Sequence, residues 1–271
     1  MLYVEAMSVY PMLYLNQIPT SVGLLPMELG RRVMKTADPE ERARRAGAYV
    51  LLDRMVRKHT DDFKSNVAGI VKSEYGSFFG GRNALDAVRY DSYGKPYFDE
   101  KENASFNLSH SRYMVACALV TEPDGEIAAQ CGVDIELVSY DLVRAERVAD
   151  RYFTDAEKLL LAPVAADPEA YCRLFTRIWT RKEAILKYLG VGLTQISLAD
   201  STRPKDHGCF FVESEEIHKY IDFVDGKEKE ELYYVTACGK IGETLPETPT
   251  ETAENPTKEK FVMGNPRNMQ L

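Results

Sequence analysis

The segment YMVACALVTEPDGEIAAQCGVDIELV, residues 113–138, constrains the fold more than any other part of the chain. Two apolar runs flank Pro123-Asp124-Gly125, a turn signal that interrupts any regular element. The pattern predicts an antiparallel hairpin over 113–138. Its second arm, CGVDIELV, carries Asp134 and Glu136 in an otherwise apolar run. Alternate residues of a strand share a face, so both carboxylates project together. Like charges side by side repel, and burying either one unpaired is costly. The arrangement calls for a cation.

At 271 residues the chain can form one large domain or two small ones around a substantial core. Its 45% hydrophobic and 10% aromatic content is that of an ordinary globular protein. No run of 18 apolar residues occurs, so no membrane span is expected. The opening MLYVEAMSVY lacks a basic leader and a small-residue cleavage site, and alternates like a strand. Five cysteines (117, 131, 172, 209 and 238) form no CxxC pair, which reads as reduced core thiols in a cytoplasmic protein. A net charge of −8 argues against a general nucleic-acid binder. Residues 31–72 nevertheless carry 11 Lys+Arg against 6 Asp+Glu. Such a segment suits a local anionic ligand, and charge alone suits a solvated helix face equally.

Residues 1–20 read as one or two strands. The run 38–59 reads as a helix, with Asp38 as N-cap, Pro39 in the first turn and Glu41 at the capping-box position. NVAGIVKSEYG (66–76) predicts a shorter helix, YGKPYF (93–98) a turn entering a short strand, and SFNLSHS (105–111) a strand. That last strand puts Phe106 and Leu108 on one face, Asn107 and Ser109 on the other. RYFTDAEKLL carries a capping box, Thr154 with Glu157, and 167–190 is a long helix started by Asp167-Pro168 and stopped by Gly190. GCFFVES and LYYVTACGKI read as strands of a second sheet. The order predicts an α+β protein of two similar-sized halves, 1–123 and 124–242. The Pro/Thr/Glu-rich tail, 243–271, is expected to be disordered.

On the long helix, Trp179, Glu183 and Lys187 share a face at i, i+4 and i+8. Glu183 is the candidate third carboxylate beside Asp134 and Glu136, a hard oxygen set that suits Mg²⁺ and leaves positions for phosphate oxygens. Spacing alone leaves other readings open. Glu183 and Lys187 also suit a surface salt bridge, and Asp134 with Glu136 a solvated strand face. A lone His110 between serines is commonly a hydrogen-bonded turn residue, Lys95 a solvated turn residue, and Trp179 a core aromatic. No GxSxG elbow supports a Ser–His–Asp triad.

Taken in order and spacing, YGKPYF, FNLSHS, GVDIE, RYFTDAE and WTRKEAILKYLGVGL resemble the 4'-phosphopantetheinyl transferases, in particular the larger Sfp type. The resemblance covers roughly residues 1–240. It implies two fused pseudo-symmetric α+β halves, each a small antiparallel sheet with a long helix. It implies transfer of phosphopantetheine from coenzyme A to a serine of an apo acyl or peptidyl carrier protein, with release of adenosine 3',5'-bisphosphate. Asp134, Glu136 and Glu183 are then the metal ligands, for Mg²⁺ or else Mn²⁺. Glu183 is also the candidate base, and Lys187 the charge on the transferred phosphate. Arg45, Lys95 with Pro96, Ser109, His110 and Lys187 are then the coenzyme-binding set, with Arg31 or Arg32 as assistants. The N-terminal half takes the 3'-phosphate, and the C-terminal half holds the metal site. The carrier docks beside the hairpin and the apolar ILKYLGVGL region. A monomer is implied. The competing expectations are another metal-dependent phosphotransferase or pyrophosphate-cleaving enzyme, and a non-catalytic coenzyme A-binding module.

Overall fold

The computed structural model of the chain describes residues 1–59, 84–92, 94–98, 104–122 and 128–240. The expected helix at 66–76, the turn at 123–125 and the tail from 243 lie outside these residues. The chain opens with β1 (Leu2–Ser8) and then α1 (Tyr10–Tyr14), α2 (Ile18–Gly23) and α3 (Met27–Met34). The all-strand expectation for residues 1–20 is corrected beyond Ser8. Pro11 and Pro19 sit in the first turns of α1 and α2, where a fixed φ and a missing N–H favour helix initiation.

The helix α4 (Pro39–His59) starts where expected, because the Asp38 carboxylate accepts from the backbone N–H groups of Glu40 and Glu41. The strands β2 (Val88–Tyr90) and β3 (Pro96–Phe98) form a two-stranded antiparallel pair. Then come β4 (Ala104–Ser111), β5 (Met114–Thr121) and β6 (Gly132–Leu137). Three helices follow: α5 (Leu142–Tyr152), α6 (Asp155–Leu161) and α7 (Pro168–Leu189). The long strands β7 (Cys209–Ile221) and β8 (Glu228–Lys240) complete the described chain.

The hairpin expected over 113–138 is not made by its two apolar arms. The strand β5 pairs antiparallel with β1 on one edge and β4 on the other, whereas β6 pairs with β8 in a second sheet ordered β6-β8-β7. Burial explains the difference. Val115, Cys117 and Leu119 of β5 pack with Ala46, Leu51 and Met55 of α4. On the opposite face, Ala116, Ala118 and Val120 pack with Val133 and Ile135 of β6 and Tyr233 and Val235 of β8. A strand apolar on both faces is a sheet's centre, so β5 takes neighbours on both edges and meets β6 face-on.

The long helix α7 is fixed at both ends. Asp167 accepts from the N–H groups of Glu169 and Ala170, and Gly190 stops the helix at φ 69°, a left-handed value that glycine adopts without strain. The capping box of α6 forms as expected, with Thr154 and Glu157 bonded reciprocally. All three sheets among the described residues are antiparallel, and the architecture is α+β. All five cysteines are buried, and none is in a disulfide. Among the described residues no helix is long and apolar enough to cross a membrane.

Candidate active site

Since Val133 and Ile135 point into the core between the sheets, strand alternation sends Asp134 and Glu136 to the other face of β6. Helix α7 lies close against β6 at Gly132, and on its length Glu183 and Lys187 sit one turn apart. One carboxylate oxygen from each of Asp134, Glu136 and Glu183 lies within 4.8 Å of the others. The expected convergence of two strand carboxylates and one helical carboxylate is therefore present as geometry.

The cluster is held by hydroxyls and one ammonium. Lys187 Nζ donates to Asp134 Oδ1 at 2.6 Å and to Ser109 Oγ at 2.9 Å. Ser109 Oγ in turn donates to Asp134 Oδ1 at 2.8 Å. Ser111 Oγ donates to Glu136 Oε2 at 2.9 Å, and Lys187 Nζ stands 3.8 Å from Glu183 Oε2. The Trp179 side chain hydrogen-bonds Glu183. Asp134 Oδ2 is buried with no hydrogen-bond partner among the described residues. Burial first, and then repulsion from Asp134, raise the carboxyl of Glu136 to about 8 and that of Glu183 to about 7. Such a cluster keeps protons near neutrality unless a cation takes their place.

The seam between the two sheets runs through side chains. Asn107 Oδ1 accepts from the N–H of Val133 at 2.9 Å, and Ser111 Oγ accepts from the N–H of Leu137 at 3.1 Å. Thus Asn107, Ser109 and Ser111, three successive residues of one face of β4, fasten β6 and its carboxylates. Asn107 and Ser111 were not singled out as site residues by sequence reasoning. Their period-two placement opposite Phe106 was the available signal.

The residues assigned to the coenzyme divide into two groups. Lys95 Nζ donates to the carbonyl of Lys187 at 3.3 Å, Pro96 opens β3, and Ser109 is part of the carboxylate cluster. Arg45 and His110 gather instead at Glu41. Arg45 Nε donates to Glu41 Oε1 at 2.8 Å, and His110 Nε2 lies 3.7 Å from Glu41 Oε2. Burial lowers the His110 imidazole, opposed by Glu41. Arg32 lies 3.7 Å over the ring of Tyr90 and is spent there. Beside the carboxylates, a cavity of about 470 Å³ is lined by Ser111, Glu136, Tyr152, Phe175, Trp179 and Glu183 among others. Trp179, a core aromatic by spacing, is also a wall of this cavity.

Fold and site define an α+β protein with a three-carboxylate, one-lysine centre at the seam between two antiparallel sheets. The sequence model of the 4'-phosphopantetheinyl transferase superfamily matches residues 130–238, which hold all three carboxylates. The chain is 26% identical to a 4'-phosphopantetheinyl transferase of Bacillus subtilis over 182 residues, 66% of this chain and 75% of that protein. It is 28% identical to the 4'-phosphopantetheinyl transferase HetI of Nostoc sp. over 190 residues, 66% of this chain and 75% of that one. To the 4'-phosphopantetheinyl transferase Sfp of Bacillus subtilis (strain 168) it is 27% identical over 198 residues, 72% and 78% of the two chains. The chain is thus similar to the 4'-phosphopantetheinyl transferases, most directly over the residues that carry the three carboxylates.

Proposed function

We propose that the protein transfers the 4'-phosphopantetheine group of coenzyme A to a serine of an apo carrier protein, releasing adenosine 3',5'-bisphosphate. One observation carries the reading: Asp134, Glu136 and Glu183 meet within 4.8 Å in the region that the family matches. In the reaction, the serine oxygen bonds to the phosphorus that bears pantetheine. The bond from that phosphorus to the bridging oxygen breaks, and its electron pair leaves with the bisphosphate. The serine proton passes to Glu183, the carboxylate that the helix brings to the centre. Lys187, a point charge already at Asp134, holds the transferred phosphoryl group as negative charge shifts across it.

The three carboxylates fit a divalent ion. Their donors are all hard oxygens, and the partnerless, buried Oδ2 of Asp134 supplies an atom that such an ion would satisfy. Mg²⁺, held by Asp134, Glu136 and Glu183, would supply charge neutralisation to the pyrophosphate. Lys95, Ser109 and Lys187 stand on the pyrophosphate side of this reading, Arg45 and His110 on the side of the ribose 3'-phosphate. The cavity beside Glu136 and Glu183 opens where the incoming serine must approach, and we assign the carrier to that side. In the apolar run after the centre, Ile185 and Leu186 are buried while Leu189 and Leu193 remain exposed for such a contact.

The two halves are read as related, since each has a three-stranded antiparallel sheet with a long helix, α4 or α7, packed on it. One chain then supplies the whole cleft as a monomer, and five buried thiols outside any disulfide fit the cytoplasm. The test is incubation with coenzyme A, Mg²⁺ and several purified apo carriers, read by intact mass. Addition of one phosphopantetheine is expected. No gain on any carrier, with coenzyme A intact, would discard the reading.

A further inference from the structure

We propose that Glu41 is a specificity-determining residue, a built-in anion that sets how much the coenzyme's 3'-phosphate adds to binding. The inference rests on the reading above, in which Arg45 and His110 face that phosphate. Glu41 Oε1 accepts from Arg45 Nε at 2.8 Å, and its Oε2 accepts from Arg44 Nε at 3.1 Å. The arginine contacts alone would be ordinary helix pairs at i+3 and i+4, worth little at a surface. The third contact is different in kind. His110 comes from β4, next to Ser109, and its Nε2 lies 3.7 Å from Glu41 Oε2. One carboxylate therefore joins two guanidinium groups of α4 and the imidazole of β4 at the edge of the carboxylate–lysine centre.

The three partners differ in freedom. Arg44 is 15% exposed and is also held by Asp38, Glu40 and the carbonyl of Arg112. Arg45 is 52% exposed and His110 is 42% exposed, so these two can turn toward a ligand. Glu41 engages Arg45 through Nε and leaves the guanidinium's terminal nitrogens for a phosphate. A phosphate dianion that reaches Arg45 and His110 meets the Glu41 carboxylate at the same groups. Two anions then share cations, and the repulsion subtracts from the gain. A 3'-hydroxyl brings no charge and feels no such penalty.

The test is calorimetric titration of wild type and E41Q with coenzyme A and with 3'-dephospho-coenzyme A. Gln keeps the size and suits the first helical turn. E41Q is expected to bind coenzyme A about tenfold more tightly, the effect of roughly 1.4 kcal/mol, with the dephospho form unchanged. E40Q, which removes a carboxylate paired with Arg44 rather than with Arg45 or His110 among the described residues, should move neither coenzyme. Weaker or unchanged binding of coenzyme A by E41Q, or an equal shift for both coenzymes, overturns the proposal; in that case Glu41 orients the cations or does nothing. Should E41Q fold poorly, E41A is read by the same comparison. A wild-type protein that binds neither coenzyme and modifies no carrier fails the proposed function itself, which is a separate outcome.

Discussion

A methyl group at Gly132 has no room. Built on this backbone it would sit 2.5 Å from the N–H nitrogen of Tyr188, and nearer still to the carbonyl oxygen of Ala184. Both neighbours are helix backbone, so relief requires α7 to move off β6. Gly132→Ala should therefore destabilise the protein by about 1–3 kcal/mol, read from urea midpoints, and should lower transfer by more than the unfolded fraction accounts for. A stability loss with full activity in the folded fraction would mean that the contact does not set the site. Glu183→Gln probes the opposite balance. It removes one of three mutually repelling carboxylates, so folding should hold or improve, while transfer should fall by about 10²-fold or more. Intact-mass kinetics beside a thermal melt checks both halves, and an active E183Q protein would remove the glutamate from the mechanism.

At the scale of elements, Lys182 shows what orients α7. It neighbours Glu183 in sequence but points the other way, into the core, where its ammonium donates to Glu157 Oε2 at 2.8 Å and to the carbonyl of Ala199. Glu157 also accepts from the N–H groups of Thr154 and Ser201, and both charged side chains are 0% exposed. The pair fastens α7 to the start of α6 and to the segment after it. Lys182→Met leaves a buried carboxylate without its cation and should cost about 3–5 kcal/mol. Lys182→Met with Glu157→Leu should recover much of that loss in chemical denaturation. A double variant as unstable as the single would show that packing, not charge, is at stake. The sequence made the helix ends, the capping box and the acidic pair legible, because caps and alternation are local chemistry. Strand partners were not. The pairing of Leu2 with Val120 spans more than a hundred residues, and nothing local distinguishes it from a turn-closed hairpin. The side-chain seam of Asn107, Ser109 and Ser111 was hidden for the same reason, since its meaning depends on which strand lies opposite. The resemblance implies a phosphate role for Arg45 and His110, but their shared partner Glu41 emerges only when α4 and β4 are brought together.

For the molecule as a whole, three carboxylates crowded at the junction of two sheets make folding a proton-dependent event. Glu136 and Glu183, raised from 4.5 to about 8 and about 7, retain protons in the folded chain at pH values where the unfolded chain has released them. Their contribution to stability is fully present below about 4.5. It is lost as the pH rises through about 7 and 8, the two folded values. In chelator, the melting temperature should fall across that window. Added Mg²⁺ binds the folded carboxylates and competes with those protons, so its stabilisation should grow as the pH rises. At a hundredfold excess over its Kd the ion would contribute about 2.7 kcal/mol. Melting curves with Mg²⁺ and with chelator, taken from pH 5 to 8, measure the widening gap. Glu136→Gln should flatten both the chelator slope and the gap, because it removes the more strongly raised of the two glutamates. A gap that stays constant with pH in the wild type would mean that the ion, if bound, sits away from these carboxylates, and that the crowding at the seam is relieved by protons alone.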